Sequence, residues 1–110
     1  MLTGFYVLKG SGVTKVSPTF PRGGLSANFQ VQVLELIGSP TDLVATIEHK
    51  NLEDTAFTTA GSFATISSVT VANLSVSSIK EQVRYTFTPT ATNAWEGFYI
   101  LLPAPAWRPY

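Results

Sequence analysis

The sequence predicts an all-β domain, a single antiparallel β-sandwich or small barrel with extended terminal arms. Three observations predict it. Apolar residues alternate with amides and hydroxyls along most of the chain. In Ala27-Asn28-Phe29-Gln30-Val31-Gln32-Val33 the Ala, Phe and Val residues share one face and the amides the other, which is the period of two of a half-buried strand. Such segments recur at short spacing, separated by Gly, Pro, Ser and Asn turn residues. Finally, 13% of the residues are charged, against about 25% in an ordinary soluble domain. Polar faces built from Thr, Ser and Gln suit cover by neighbouring subunits, so assembly is the expected theme.

Each element follows from local chemistry. Residues 4–9 read as a first strand closed by Gly10-Ser11-Gly12, and residues 13–16 continue it or pair back on it. Residues 17–24 read as a loop or arm, because Pro18 and Pro21 limit ladder bonding while Gly23 and Gly24 loosen the backbone. Residues 25–37 give the longest strand signal, followed by a turn at 38–42 in which Pro40 fixes φ. Residues 43–50 alternate again, with Leu43, Ala45, Ile47 and His49 on one side, and lead into an acidic loop at 51–55. Phe57 and Phe63 flank a hairpin or bulged strand.

Residues 69–76 are rich in β-branched side chains and read as a strand. A helical turn capped by Ser77 or Ser78, or a plain turn, fits residues 77–81. Residues 80–89 set Val83, Tyr85 and Phe87 against Arg84, Thr86 and Thr88. Residues 95–102 form the last strand, apolar on both faces and therefore central or doubly covered. In residues 103–110 the prolines remove donors and fix φ, which rules out a helix or a central strand. The 110 residues thus make one β domain, 1–110, with an arm at 17–24 and a Pro-rich tail at 103–110.

Charge and composition narrow the function. The formal net charge is zero and the seven basic residues are scattered, so nucleic acid is not an expected partner. Zero net charge also removes self-repulsion between copies. The chain has no cysteine, which excludes disulfides, thiolate metal sites and cysteine nucleophiles. No stretch reaches about 18 apolar residues, and the start lacks the basic region and apolar run of a signal peptide. The expectation is a soluble product of cytoplasmic synthesis with no membrane partner.

Reactive chemistry has one candidate, His49, which Glu53 or Asp54 could orient as a general base. Glu48 points to the opposite face by strand alternation. A lone His before an acidic turn reads more simply as a strand end. No Gly-x-Ser-x-Gly elbow occurs, no carboxylate pair stands at a diagnostic spacing, and Asp42, Glu53 and Asp54 do not form a calcium loop. No catalytic, cofactor-binding or metal-ligating residues are therefore expected, and no cofactor. Asn73-Leu74-Ser75 fits a glycosylation acceptor but reads as the polar face of a strand. Most aromatics read as core, the alternative being a sugar-binding platform. The interface candidates are Trp107, Arg108 and Tyr110 in the stiff tail and Phe20 with Arg22 in the arm, residue types and settings that favour docking on a neighbouring chain.

Several stretches of the second half carry a resemblance: Ile47-Glu48-His49-Lys50-Asn51-Leu52-Glu53-Asp54-Thr55, Phe57-Thr58-Thr59-Ala60-Gly61-Ser62-Phe63, Glu81-Gln82-Val83-Arg84-Tyr85-Thr86-Phe87 and the ending Pro103-Ala104-Pro105-Ala106-Trp107-Arg108-Pro109-Tyr110. In style and size the chain resembles small β-rich virion proteins of tailed phages and prophages. The resemblance implies a capsid-decoration, cement or minor structural role, a place in the virion after synthesis in the host cytoplasm, and no catalytic residues. The expected partners are copies of the chain itself or a larger protein lattice such as a capsid. A carbohydrate- or surface-binding module, with a glycan as ligand, is the alternative.

Overall fold

A computed structural model of the chain describes residues 4–11 and 14–109. The described residues form ten strands and no helix: β1 (Gly4–Lys9), β2 (Lys15–Val16), β3 (Phe20–Pro21), β4 (Ser26–Ile37), β5 (Asp42–Lys50), β6 (Thr58–Ser62), β7 (Val71–Val76), β8 (Gln82–Thr90), β9 (Gly97–Leu102) and β10 (Ala106–Arg108). All pairings are antiparallel and they build two sheets. The fold class is the expected one, a β-sandwich.

In the first sheet β4 is the spine. One edge of β4 pairs with β7, and the other pairs with β9 over Gln32–Ile37 and with β10 over Ser26–Asn28. β10 therefore prolongs the line of β9 beyond an interruption at Pro103-Ala104-Pro105, and β1 lies outside β9. The second sheet repeats the plan. Its spine β8 pairs with β5 along one edge and with β2, then β3, along the other, β6 lying outside β5. Here the interruption is Ser17-Pro18-Thr19, across which Ser17 still exchanges backbone and side-chain bonds with Tyr85, its N–H donating to the carbonyl and its Oγ accepting the N–H, both at 2.9 Å.

The pairs nest from the outside in: β1 with β9, β2 and β3 with β8, β4 with β7, and β5 with β6. A long two-ply ribbon rolled over on itself gives this order, which is that of a jelly roll.

The alternation read from sequence supplies the core. Phe29, Val31, Leu43, Ala45, Ile47, Val83, Tyr85, Phe98, Ile100 and Leu102 are completely buried between the sheets. Fully burying side chains of this size contributes about 1.5–3 kcal/mol each. An aromatic cluster joins the layers: Phe29 meets Tyr85 edge-on at 5.9 Å and Trp107 at 5.8 Å, while Phe20 lies 6.1 Å from Tyr85 and 6.5 Å from Trp107. Within it the Tyr85 hydroxyl and Trp107 Nε1 are buried without a hydrogen-bond partner.

The structure corrects the expectation of extended arms. Phe20 and Pro21 pair with β8, and the tail pairs with β4 and seats Trp107 against the core. Prolines keep β3 and β10 short, yet their interruptions are extended enough to hold the strand line. Gly23 and Gly24 are the seat rather than a hinge: a Cβ on Gly23 would strike the Trp107 ring at 2.7 Å, and one on Gly24 would strike the Arg108 carbonyl. The connection 77–81 contains no helical turn; Ser78 takes a φ of 54° so that Ile79 reaches the core and its N–H meets the Leu25 carbonyl at 2.9 Å.

Candidate assembly surface

Because side chains alternate, the strands that bury Phe29, Phe98 and Leu8 inward must present the intervening residues outward. In the first sheet these are Phe5 and Val7 from β1, Tyr99 and Leu101 from β9, Asn28, Gln30 and Gln32 from β4, and Val71, Asn73 and Ser75 from β7. Register sets them in rows. Phe5, Leu101, Gln32 and Val71 line up across all four strands, and Val7, Tyr99 and Glu35 form the next row. Phe5 stacks on Tyr99 at 5.7 Å and is 61% exposed. Val7 and Val71 are about half exposed, and Leu34, the extra residue where the register of β4 shifts against β9, is also exposed.

Beside this apolar strip runs a ladder of amides. Gln32 Nε2 donates to Gln30 Oε1 at 2.6 Å, Gln30 Nε2 to Asn73 Oδ1 at 3.0 Å, and Ser75 Oγ to Asn28 Oδ1 at 3.4 Å. These three bonds pair part of the ladder's donors and acceptors side by side, which lowers the cost of removing it from water. Lys9, Glu35 and Arg108 stand at the ends of the face.

The residues expected at an interface are dispersed. Phe20 is buried, and Arg22 braces a loop, its Nη1 donating to the Ile79 carbonyl at 2.6 Å and its N–H to the Glu81 carbonyl at 3.0 Å. Trp107 packs on its own domain, Arg108 is exposed beside Ser26, and Tyr110 lies outside the described residues. Phe20 and Trp107 are thus consumed internally rather than offered to a neighbour. The outer-face apolar residues that sequence reasoning missed are the exposed Phe5, Val7 and Val71 and the half-buried Tyr99 and Leu101. Their signal was the apolar character of 95–102 on both faces: β9 is central, but its outer side is uncovered.

His49 is held as a structural residue. Its ring is nearly buried, and Nδ1 accepts the Lys80 N–H at 3.2 Å. Burial lowers its pKa below 6.5; the Lys80 charge adds to this and Asp54 opposes it. Asp54 accepts the Asn51 N–H at 2.8 Å and faces the Lys80 ammonium at 3.8 Å. Glu48 points outward to Arg84, as alternation requires. A shallow cleft of about 420 Å³ beside this cluster is lined by Arg22, Asn51, Ser77 and Lys80 among others, and its polar groups chiefly tie the loops together.

At the opposite end of the sandwich Glu96 plays the corresponding part. The carboxylate accepts the Ser39 N–H at 2.9 Å and the Asn93 N–H at 3.0 Å, and its carbonyl accepts the Gly10 N–H at 3.0 Å. Those two backbone bonds hold its pKa below the ordinary carboxylate value. One residue, through its carboxylate and its carbonyl, thereby links three turns. Its sequence signal was a lone acid, Glu96, between Trp95 and Gly97 at the mouth of an apolar strand.

Among the described residues no group of three or more His, Cys, Asp or Glu is placed to hold a metal, and no helix is long and apolar enough to cross a membrane. No family model, curated protein or solved structure matches the chain.

Proposed function

We propose that this chain is a non-enzymatic assembly protein that associates with its own copies or a larger capsid lattice, as a virion component of the decoration, cement or minor structural kind. The observation that carries the reading is the outer face of the first sheet, where Phe5, Val7 and Val71 stand exposed beside a hydrogen-bonded amide ladder. Exposed apolar area of this kind marks an interaction surface. The jelly-roll order is used by viral capsid and lectin domains alike, so by analogy it accords with the virion setting and with glycan binding.

Light scattering at physiological and high salt tests the reading. Association should survive high salt, because it rests on apolar contact rather than screened ion pairs. Phe5→Glu should weaken it about tenfold or more without unfolding the domain, as Phe5 makes no part of the core. A chain that stays monomeric at tens of micromolar and binds no particle would sink the reading.

One observation favours a second reading. The stacked Phe5–Tyr99 pair beside the Gln32 and Gln30 amides has the composition of a saccharide platform, and a glycan titration abolished by Tyr99→Ala would support a carbohydrate-binding module instead.

A further inference from the structure

Besides the short β10, flanked by Pro105 and Pro109, four strand edges bound the two sheets, and they are finished differently. The β2–β3 edge is broken by Pro18 and Pro21, and β6 carries a register shift at Ala60. Prolines and bulges both obstruct strand addition. The two long edges of the first sheet, β1 (GFYVLK) and β7 (VANLSV), have no proline and no bulge, and Lys9 is their one charge. No described strand covers either edge.

Hydrogen bonding fixes which residues face outward. The Val33 N–H donates to the Thr70 carbonyl at 2.8 Å, one step along from the Gln32–Val71 pair. Antiparallel pairs alternate between bonded and non-bonded, so Ala72, Leu74 and Val76 bond inward to β4. The N–H and C=O groups of Val71, Asn73 and Ser75 point to the open side. The Gly10 N–H bond to the Glu96 carbonyl sets the same parity on β1, where Phe5, Val7 and Lys9 point their backbone groups outward. These six residues also carry their side chains on the outer face.

We propose that copies of this chain join edge to edge, β1 of one against β7 of the next, continuing the first sheet in antiparallel order; this rests on the assembly reading above. β1 and β4 both run antiparallel to β9, and β7 runs antiparallel to β4. Similarly oriented copies therefore bring β7 and β1 together antiparallel. With Val7 opposite Asn73, the outward residues form three bonded pairs and about six new hydrogen bonds. Phe5 and Val7 then lie beside the smaller Ser75 and Asn73. Pairing β1 with itself about Val7 would instead set Lys9 against Phe5, and pairing β7 with itself about Asn73 would bury no aromatic. A head-to-tail contact of this type generates rings or open arrays.

The absence of cysteine makes disulfide trapping clean. Bonded antiparallel pairs have Cα atoms about 5.5 Å apart, inside the range a disulfide spans. Mixing full-length Val7→Cys and Asn73→Cys chains under mild oxidation should give a cross-linked dimer, and the double variant a ladder of higher species. Either single variant cross-linking with itself as strongly as the mixture would overturn the head-to-tail pairing. Association by scattering with no cross-link would move the contact off these edges and leave the assembly reading standing. A monomer in every condition would remove both. An edge occupied by an extended segment of another protein would leave the purified chain uncross-linked, which also overturns the proposal. As a second arm, Asn73→Pro removes an N–H that faces away from β4, so melting should persist while association falls at least tenfold; association unchanged in that variant would overturn the proposal.

Discussion

The two sheets share an inner pattern and differ in what they show to water. On the second sheet Thr46, Thr86 and Thr88 line the outer face, with Glu48 and Arg84 paired at 2.8 Å. The Arg84 guanidinium lies 4.0 Å from the centre of the Phe57 ring, and the Lys50 ammonium lies 5.3 Å from it. Val44 and Val16 also stand on this face, 41% and 54% exposed, among the hydroxyls and the ion pair, and both edges are obstructed. The first sheet offers Phe5, Val7 and Val71 uncovered, with two open edges. Folding needs one buried face from each sheet. The outer faces differ in what stands beside the exposed aliphatic residues: an ion pair and a cation over a ring on the second, a stacked aromatic pair and an amide ladder on the first.

The largest expected effect tests whether the first sheet is as complete inside as the second. Trp107 fills the space between Phe20 and Phe29, so Trp107→Ala should cost about 3 kcal/mol, read as a fall in thermal midpoint by circular dichroism. If that variant melts normally but no longer associates, the tail serves a neighbour and the inner faces are not equivalent.

That the tail docks internally was the least legible part of the fold. β1 matches its sequence bounds, and β4, β5, β8 and β9 lie close to theirs, because alternation is a local property. β3 and β10 were hidden because a proline-interrupted strand shows no period of its own; only the partner strand defines its register. Gly23 and Gly24 read as flexibility, since sequence cannot show that an indole and a carbonyl press against them. The placing of His49 beside Leu43, Ala45 and Ile47 was legible, and so was the outward turn of Glu48. The partner of His49, the Lys80 N–H, comes from 31 residues away and was not.

A smaller effect separates the outer faces. Arg84→Ala removes the Glu48 pair and the contact with Phe57, and should cost about 1 kcal/mol. On the first sheet Val7→Thr keeps the β-branched shape on an exposed site and should stay within about 0.5 kcal/mol of the parent, while weakening association. Equal stability losses at the two positions, by denaturant melts, would erase the distinction between the faces.

The loop end adds a pH signature. His49 in the folded chain holds its proton less tightly than the ordinary value of 6.5, so the unfolded chain binds more protons as pH falls through that value. Stability is therefore complete above it, declines as pH drops toward the lower folded pKa, and levels off below. Between about pH 7.5 and about pH 5.5 the thermal midpoint should fall, and His49→Gln, which keeps an acceptor for the Lys80 N–H, should flatten that fall. An identical slope in the variant would place the titrating group elsewhere.

An effect of opposite sign is expected where the two sheets meet. Tyr85 belongs to the second sheet, stacks on Phe87 at 5.8 Å and meets Phe29 of the first edge-on. Burial, with a smaller contribution from Tyr6, pushes its pKa up, so the hydroxyl stays protonated. It has no partner, and a buried donor left unpaired costs about 1–3 kcal/mol. Tyr85→Phe keeps every ring contact and deletes that cost, so the midpoint should hold or rise by the equivalent of up to about 1 kcal/mol. A loss of that size would mean that the hydroxyl is bonded in solution. Trp107 Nε1 is the other unpaired polar atom of the same cluster. Combining Tyr85→Phe with Trp107→Phe tests whether the two atoms pair in solution: coupling between the changes would show a shared bond. Additive effects would instead leave both atoms unpaired, with the seam between the sheets held by ring packing alone.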